Sequence, residues 1–273
     1  MSTMDDIIRR ALDEDAPWGD LTSEVFLPAE ARATASLVAR EPGVFSGATV
    51  FARVFELVDA DTRVELLVGD GERFDRGTVL AHVDGTARAV LRAERIALNL
   101  TQRMSGIATL TARFVEAVVG TSTRIVDTRK TTPGLRVLER QAVRDGGGHN
   151  HRFSLSDAVL AKDNHLAVLA AAGVPIGDAI RAARARLGHT THLEVEVDRL
   201  DQIEPVVAAG VDTIMLDNFT PDELRQGVAI VAGRALVEAS GGVSLATVAA
   251  IAATGVDVIS VGALTHSPRA LDL

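Results

Sequence analysis

The residues with the clearest chemical potential lie in one stretch, residues 127–165, which reads DTRKTTPGLRVLERQAVRDGGGHNHRFSLSDAVLAKDNH. It contains Lys130 and Lys162, the only lysines in the chain; every other permanently cationic side chain is an arginine. A lysine ammonium is a compact charge, whereas an arginine guanidinium is a planar fork that suits carboxylates and phosphates. Eight basic and five acidic residues fall between Arg124 and His165, in a chain whose net charge is −9. A cationic segment in an acidic protein predicts a site for a polyanion.

Three consecutive glycines at 146–148 precede His149, Asn150, His151 and Arg152. Glycine lets backbone amides approach a ligand closely, and several amides pointing the same way form a nest that binds anions. The pattern therefore predicts that the glycines and the residues after them belong to the polyanion site. His149 has no assigned role in this interpretation.

A repeated strand-then-helix pattern predicts the elements that position these residues. Apolar runs of strand length, separated by helical stretches, occur near 123–127, 158–162, 192–197, 212–216, 235–239 and 257–261. Strands joined by right-handed helical crossovers form a parallel sheet, and this sheet is expected to close into a barrel. Because fewer than eight strands are clear, the barrel is expected to be incomplete.

Polar residues follow each of the predicted strands. The strand ends carry Asp127–Lys130, Lys162–His165, Glu194 and Glu196, Asp217–Asn218, Ser240–Gly242 and Gly262. Barrel enzymes bind their substrates at the carboxyl ends of the strands, so these groups are expected to converge on one rim. Glu194 and Glu196 point to the same face of one strand, which leaves open which of them contacts a ligand.

The first hundred residues predict a smaller α+β unit. Apolar spacing predicts a first helix that Ser2 or Thr3 could cap. The elements expected after it are a strand at 31–40, a helix at 48–58 and a hairpin of strands at 62–68 and 78–84. Residues 86–118 are helical in pattern, and Ser105-Gly106 is expected to break them into two helices near the domain junction. Most charges on the first half of this stretch, Arg103 among them, are expected to form a solvated face.

Several motifs of the chain resemble those of the quinolinate phosphoribosyltransferases, also called carboxylating nicotinate-nucleotide pyrophosphorylases. In order, they are EDAPWGDLTS, ERIALNLTQRMSGIAT, DTRKTTPGLR, AVRDGGGHNHR, AKDNH and VGALTHS, and together they span nearly the whole chain. The resemblance implies an α/β protein with an N-terminal α+β open sandwich and helical linker over residues 1–105. A C-terminal incomplete (β/α) barrel over residues 106–273 follows, and the C-terminal tail can return to the sandwich.

The resemblance also implies a reaction. The family transfers the phosphoribosyl group of phosphoribosyl pyrophosphate to quinolinate with decarboxylation, which gives nicotinate mononucleotide, pyrophosphate and CO2 for NAD biosynthesis. The two adjacent carboxylates of quinolinate suit guanidinium forks. The side chains that the resemblance assigns to the positive pocket are Arg95, Arg129, Arg152, His151, Lys130 and Lys162.

The second substrate is phosphoribosyl pyrophosphate, which arrives with Mg²⁺. Lys130 and Lys162 are expected to neutralise phosphate oxygens and the leaving pyrophosphate, while Glu196 and Asp217 stabilise an electron-poor ribose. These four residues form the expected catalytic set. The two carboxylates are also expected to hold Mg²⁺ directly or through water, because Mg²⁺ prefers oxygen ligands. A glycine-lined phosphate grip like those after late barrel strands is expected at Ser240, Gly241, Gly262 and His266.

The assembly is inferred from the position of Arg95. This residue lies 35 positions before Lys130, on the helical stretch that precedes the barrel. In the family that the chain resembles, the corresponding segment reaches into the site of the partner subunit. The resemblance therefore implies a two-fold homodimer, or a higher oligomer, with shared active sites.

The composition of the chain indicates which classes of partner and which cellular compartment to expect. The net charge of −9, the aromatic content of 3% and the absence of tyrosine disfavour binding to nucleic acid or an anionic membrane. The chain has no cysteine, which excludes disulfides and thiolate metal sites. No run approaches the roughly 20 apolar residues of a membrane span. The acidic start MSTMDDIIRR lacks the apolar region of a secretory signal, so a cytoplasmic location is expected.

Three other functions fit parts of the pattern. A pyrophosphorylase-like paralogue would act on another base, although the GGGHNHR segment favours quinolinate. A Schiff-base barrel lyase would need a lysine in a desolvated pocket, whereas both lysines have arginines or carboxylates close in sequence. A regulator that only binds a phosphorylated metabolite would leave the carboxylates of the rim without a role.

Overall fold

The structure is a computed structural model, and it describes residues 3–273. Its helices are α1 (Met4–Asp15), α2 (Leu21–Phe26), α3 (Ala48–Val58), α4 (Ala87–Ala117), α5 (Arg136–Asp145), α6 (Asp163–Ala171), α7 (Ile176–Arg186), α8 (Ile203–Val207), α9 (Pro221–Val231), α10 (Val248–Ala252) and α11 (Ala263–His266). Its strands are β1 (Arg32–Val38), β2 (Gly43–Val44), β3 (Arg63–Leu66), β4 (Arg73–Phe74), β5 (Val79–Thr86), β6 (Arg124–Val126), β7 (Val159–Ala161), β8 (Leu193–Val197), β9 (Thr213–Asp217), β10 (Leu236–Ser240) and β11 (Val258–Ser260).

The described residues form two compact units, each built from separate parts of the chain. The first unit takes the described residues up to Ala112, together with Lys130–Gly148 and Leu264–Leu273. The second unit takes Arg113–Arg129 and His149–Ala263. The predicted domain boundary between residues 105 and 106 stays a prediction. The two compact units do not follow this boundary, because Lys130–Gly148 belongs to the first unit although it lies after residue 106.

The first unit contains a small antiparallel sheet of the order β1-β5-β3 and a separate pair, β2 and β4. The antiparallel pairing of β3 with β5 confirms the predicted hairpin. Helix α1 begins after Thr3, whose hydroxyl accepts a hydrogen bond from the amide of Asp6 over 3.2 Å, so Thr3 is confirmed as its cap. The alternative cap, Ser2, lies outside the described residues.

Helix α4 runs without interruption from Ala87 to Ala117, so the predicted break at Ser105-Gly106 is wrong. Ser105 is fully buried, and its hydroxyl donates to the carbonyl oxygen of Ser46 and accepts from the Ser46 amide, each over 3.1 Å. A Cβ at Gly106 would lie 2.0 Å from the carbonyl oxygen of Arg269. Both residues are therefore small because other segments of the first unit pack closely against the helix there.

The second unit is built on a six-stranded parallel sheet of the order β6-β11-β10-β9-β8-β7. All five residues of β8 are buried, as is typical of a strand covered on both faces. A single parallel bridge joins Val126, in β6, to His149. The sheet has six strands, whereas a complete barrel has eight. This confirms the predicted fold class, an α/β protein with a small N-terminal sheet unit and an incomplete parallel α/β barrel.

The predicted polar groups of this unit do stand at the carboxyl ends of its strands. Lys162 follows β7, Glu196 is the penultimate residue of β8, Asp217 ends β9, and Ser240 ends β10.

No single helix of the described chain is long and apolar enough to cross a membrane. Helices α6 and α7 reach the necessary length and apolar content only when they are taken together, and the chain bends by 110° between them.

Candidate active site

A buried aspartate fixes the segment that follows the glycines. Asp127 is 0% exposed; one carboxylate oxygen accepts from the amide of His151 and the other from the side chain of Asn150, each over 2.7 Å. His149 donates its amide to the carbonyl oxygen of Ile125 over 2.8 Å and accepts from the amide of Asp127 over 3.1 Å. Its side chain is exposed, so His149 contributes through its backbone, which extends the sheet beside β6.

The three glycines do not form the predicted anion nest. Their amides are already hydrogen-bonded, to the carbonyl oxygens of Ala142, Arg144 and Val143 for Gly146, Gly147 and Gly148 in turn. Gly147 has a φ of +84°, and the bond from Gly148 back to Val143 closes the end of α5 as a Schellman motif does. A Cβ at Gly146 would lie 2.4 Å from the carbonyl oxygen of Ala108, on α4. The glycines therefore end α5 and let it pack closely.

Two guanidinium groups lie near each other in the second unit. Burial and, next, the charge of Arg129 lower the pKa of the Arg152 guanidinium. Arg152 donates to the carbonyl oxygen of Ala158 over 2.8 Å, while the Nε of Arg129 is buried and has no hydrogen-bond partner. Like charges repel, so an arrangement with an unsatisfied donor is suited to an anion between them.

His151 precedes Arg152 in the chain and lies next to two buried glutamates. Its Nε2 is 3.2 Å from a carboxylate oxygen of Glu194 and 3.6 Å from one of Glu238. Its Nδ1 accepts a hydrogen bond from the amide of Arg152 over 2.7 Å. Glu194 is 3% exposed and Glu238 is 4% exposed, and Glu238 was missed by the sequence analysis.

Lys162 and Glu196 form an ion pair at the ends of β7 and β8. The Glu196 side chain is 10% exposed and that of Lys162 is 44% exposed, so the carboxylate is mostly enclosed and the ammonium faces solvent. Glu196 and Asp217 both line a cleft of about 650 Å³. The other polar side chains of this cleft are Asp163, Asn164, Asp198, Arg199, Gln202 and Asn218.

The loops after β9 and β10 meet through Asn218 and Gly241. Asn218 adopts a left-handed φ of 60°, and its side chain donates to Asp217 over 2.7 Å. A Cβ at Gly241, whose φ is +91°, would lie 2.1 Å from the amide oxygen of Asn218. Gly241 is therefore required by this close approach, and Asn218 orients the carboxylate of Asp217. Gly262 follows β11 by two residues.

The remaining predicted site residues belong to the first unit. Arg95 is exposed on α4, and His266 is exposed at the end of α11. Lys130 is also exposed, and its carbonyl oxygen accepts from the hydroxyl of Thr265 over 2.9 Å. Their place beside the residues of the second unit stays a prediction.

A buried ion pair in the first unit holds the segment that carries Lys130. Arg103 donates to Glu139 through Nε over 2.7 Å, to the hydroxyl of Thr132 over 2.7 Å and to the carbonyl oxygen of Thr265 over 3.0 Å. Glu139 is 1% exposed and also accepts from the Thr132 amide over 3.1 Å. The expectation that Arg103 lies on a solvated face is therefore wrong, because its carboxylate partner follows 36 residues later and pairs only in the folded chain.

Known proteins resemble this chain along almost its full length. Models of the quinolinate phosphoribosyl transferase N-terminal and C-terminal domains match residues 20–105 and 107–273. The carboxylating nicotinate-nucleotide pyrophosphorylase of Mycobacterium leprae is 47% identical over 274 residues, which cover 98% of this chain and 95% of the relative. The probable carboxylating enzyme of Bacillus subtilis is 43% identical over 260 residues, covering 95% and 88%.

The fold comparison agrees with the sequence comparison. The crystal structure of NadC from Streptococcus pyogenes is 42% identical and superposes with a TM-score of 0.93, covering 98% of this chain and 94% of that one. The nicotinate-nucleotide pyrophosphorylase of Ehrlichia chaffeensis is 37% identical, with a TM-score of 0.92 and coverage of 99% and 97%. By its sequence and its fold, this chain belongs to the quinolinate phosphoribosyltransferase family.

Proposed function

We propose that this protein transfers the phosphoribosyl group of phosphoribosyl pyrophosphate to quinolinate and releases CO2, which gives nicotinate mononucleotide and pyrophosphate for NAD biosynthesis. The observation that carries the proposal is the pair of neighbouring guanidiniums, Arg129 and Arg152, with a buried Nε that lacks a partner. Relatives of 43% and 47% identity bear the name of the carboxylating enzyme.

Arg129 and Arg152 bind the two carboxylates of quinolinate. Each guanidinium can bind a carboxylate through two parallel hydrogen bonds, and a dianion removes the repulsion between two partly buried cations. Nicotinate has only one carboxylate, so it offers no second group to satisfy the buried Nε of Arg129 when Arg152 holds the first. Leaving a buried polar group unpaired is how a site rejects an analogue, so we expect strong discrimination against nicotinate.

Glu196 and Asp217 serve the ribose of the second substrate. Glu196 is the member of the Glu194–Glu196 pair that lines the cleft, whereas Glu194 lies against His151. As the bond from C1 to pyrophosphate breaks, positive charge develops on the ribose, and carboxylates beside it lower the barrier. Lys162, which pairs with Glu196 and is 44% exposed, neutralises phosphate oxygens together with Lys130.

The bond changes follow from the substrates. The lone pair of the pyridine nitrogen forms a bond to C1 of the ribose, and the electron pair of the broken C1–O bond leaves with pyrophosphate. The nitrogen is then cationic. When the carboxylate at C2 departs as CO2, its bonding electrons remain at C2, where the adjacent cation stabilises them until a proton is added. The substrate supplies its own electron sink, so the loss of CO2 needs no further electron acceptor.

Mg²⁺ enters with phosphoribosyl pyrophosphate. Glu196 and Asp217 offer the oxygen ligands that Mg²⁺ prefers, and the cleft of about 650 Å³ leaves room for water and substrate phosphates. These two carboxylates would hold the ion directly or through water, and Mg²⁺ would neutralise the charge of the pyrophosphate. Ser240, Gly241, Gly262 and His266 are the proposed phosphate-binding groups.

We also propose that the protein is a cytoplasmic homodimer in which Arg95 completes the site of the partner subunit. Arg95 is exposed on α4, in the first unit, which suits a contact outside its own chain. A Schiff-base reaction is disfavoured because Lys162 lies in an ion pair and is 44% exposed, unlike the desolvated lysine that such an enzyme needs.

One assay tests the proposal. The purified protein is incubated with quinolinate, phosphoribosyl pyrophosphate and Mg²⁺, and nicotinate mononucleotide and CO2 are measured. Parallel reactions replace quinolinate with nicotinate or Mg²⁺ with a chelator. We expect product only in the complete reaction. No product from quinolinate refutes the function, and comparable turnover of nicotinate refutes the dicarboxylate recognition by the two arginines.

A further inference from the structure

Three ionisable side chains of the second unit lie together away from solvent. His151, Glu194 and Glu238 place a ring nitrogen and two carboxylate oxygens within 4.8 Å of one another. The Oε1 atoms of both glutamates are buried and have no hydrogen-bond partner. Buried polar atoms are nearly always satisfied in native proteins, so this cluster needs an additional donor.

A cation is one candidate for that donor, but the histidine tautomer opposes it. The Nδ1 of His151 accepts the amide hydrogen of Arg152 over 2.7 Å, so Nδ1 carries the lone pair and Nε2 carries the ring proton. A metal ion at the cluster would need the lone pair on Nε2. The ring instead donates its Nε2 hydrogen to Glu194, whose oxygen is 3.2 Å away.

A proton on Glu238 is the donor that satisfies the cluster. Burial, with the charge of Glu194 as the second cause, raises the pKa of Glu238 to about 8 from the usual 4.5. An ionised Glu238 would be buried beside Glu194, so Glu238 keeps its proton at neutral pH.

We propose that Glu194, together with the protonated carboxyl group of Glu238, positions His151 and, through it, Arg152 for the carboxylates of quinolinate. The geometry supplies the chain of contacts. Glu194 holds Nε2 of the ring, and the ring accepts the Arg152 amide through Nδ1. The backbone of Arg152 is thereby fixed, while its guanidinium donates to the carbonyl oxygen of Ala158 over 2.8 Å. The inference rests on the proposed function because it assigns Arg152 to quinolinate.

The proposal predicts a dependence on pH. Above about pH 8, Glu238 ionises, its donated hydrogen bond is lost, and a further buried negative charge faces His151. The quinolinate carboxylates stay ionised throughout this range. The charged groups that act on His151 or Arg152 are Glu194, Glu238, Asp127, Arg129 and Asp157.

Three variants test the pair. Glu238→Gln keeps a donor toward Glu194 but cannot ionise, Glu238→Leu removes the donor, and Glu194→Gln removes the charge that holds His151. We expect Glu238→Leu and Glu194→Gln to lower kcat/KM for quinolinate by roughly 100-fold, as displacement of a binding group by about 1 Å does. The KM for phosphoribosyl pyrophosphate should move much less. Glu204→Gln, at a solvent-exposed ion pair with Arg234, is the matched control for the glutamine substitutions.

The pH profile separates positioning from simple packing. In the wild-type protein, kcat/KM for quinolinate should fall as pH rises through about 8. Glu238→Gln should stay within about threefold of wild type at neutral pH and lose this fall, because a neutral amide replaces a neutral acid. An unaltered alkaline fall in Glu238→Gln overturns the proposal, even if Glu238→Leu does not fold.

Different results would overturn the proposed function and the positioning role of Glu194 and Glu238. A wild-type protein that makes no nicotinate mononucleotide overturns the proposed function. A wild-type protein that is active, with Glu238→Leu and Glu194→Gln variants that match it in KM for quinolinate, overturns only the positioning role.

Discussion

Replacing Glu139 with alanine should disturb catalysis although Glu139 is not one of the proposed site residues. Glu139 is 1% exposed and accepts from Arg103 and from the amide of Thr132. Arg103 also donates to Thr265, whose hydroxyl donates to the carbonyl oxygen of Lys130. The substitution therefore removes the acceptor on which the segment around Lys130 is anchored.

The structure sets the size of the effect. Removing one partner of a buried ion pair destabilises a protein by about 3–5 kcal/mol. The Arg103 side chain is 29% exposed and keeps part of its hydration, so we expect a loss of about 2–3 kcal/mol in the free energy of unfolding. Displacement of Lys130 by about 1 Å would lower kcat/KM for phosphoribosyl pyrophosphate by up to roughly 100-fold.

Urea denaturation and steady-state kinetics measure both effects, with Glu204→Ala as the matched control. Glu204 also makes two hydrogen bonds to one arginine, Arg234, over 2.9 and 2.7 Å, but in solvent. We expect Glu204→Ala to change little, because exposed ion pairs contribute little to stability. If Glu139→Ala matches Glu204→Ala in both stability and kcat/KM, burial of the Arg103–Glu139 pair does not anchor Lys130, and the reasoning is refuted.

Four further predictions follow from other sites. Arg129→Lys keeps the charge but loses the planar fork, so KM for quinolinate should rise at least tenfold, by roughly 1.4 kcal/mol or more; near-normal affinity would make Arg129 structural. Gly146→Ala should destabilise the fold by about 1–3 kcal/mol, because its Cβ would lie 2.4 Å from the carbonyl oxygen of Ala108. A variant with wild-type stability but a lower affinity for phosphate would instead support the anion nest predicted from the sequence. The pKa of Glu238 is raised in the folded state, so between pH 4.5 and about 8 the folded wild-type protein binds more protons than the unfolded one. Its stability relative to Glu238→Gln should therefore fall as the pH rises from 4.5 to about 8. Plots of melting temperature against pH that run parallel for the two proteins would contradict this. Inactive Arg95→Ala and Lys130→Ala proteins, mixed to form heterodimers, should recover roughly a quarter of wild-type activity; no recovery would exclude Arg95 acting across the interface.

The strands and their polar ends could be predicted because both depend on local pattern. Short, mostly apolar runs of three to five residues, with a carboxylate or lysine at or near the end, predict Glu196, Asp217 and Lys162 within one or two positions. The type of sheet follows from the alternation of strands and helices. These features need no knowledge of which distant residues meet.

The errors concern residues whose role is set by distant contacts. Gly106 reads as a helix breaker, yet it is small because the carbonyl of Arg269 passes over it. The glycines at 146–148 read as a ligand loop, yet their amides end α5. In both places the sequence-based interpretation assumed that glycine provides flexibility. In the folded chain, Gly106 and Gly146 are needed because a Cβ would not fit, and Gly147 because its φ is positive.

Glu238 was missed although a signal was present. It is a single carboxylate between buried Val237 and Ala239 in the middle of a strand, where an unpaired charge is unfavourable. Such a position indicates either a partner or a retained proton. The sequence cannot say which, because the partners Glu194 and His151 lie far away along the chain.

The discontinuous first unit has a consequence for how the protein is made. The amide of Leu271 donates to the carbonyl oxygen of Gln102, and that of Arg40 to the carbonyl oxygen of Asp272, each over 3.0 Å. A ribosome releases the residues up to Ala112 long before those at 264–273, although all of them belong to this unit. Its packing therefore cannot be completed until residues 264–273 have left the ribosome. The part of α4 around Gln102 and Gly106, which packs against residues 269–271, thus stays exposed to water, and to chaperones, until those residues have been made.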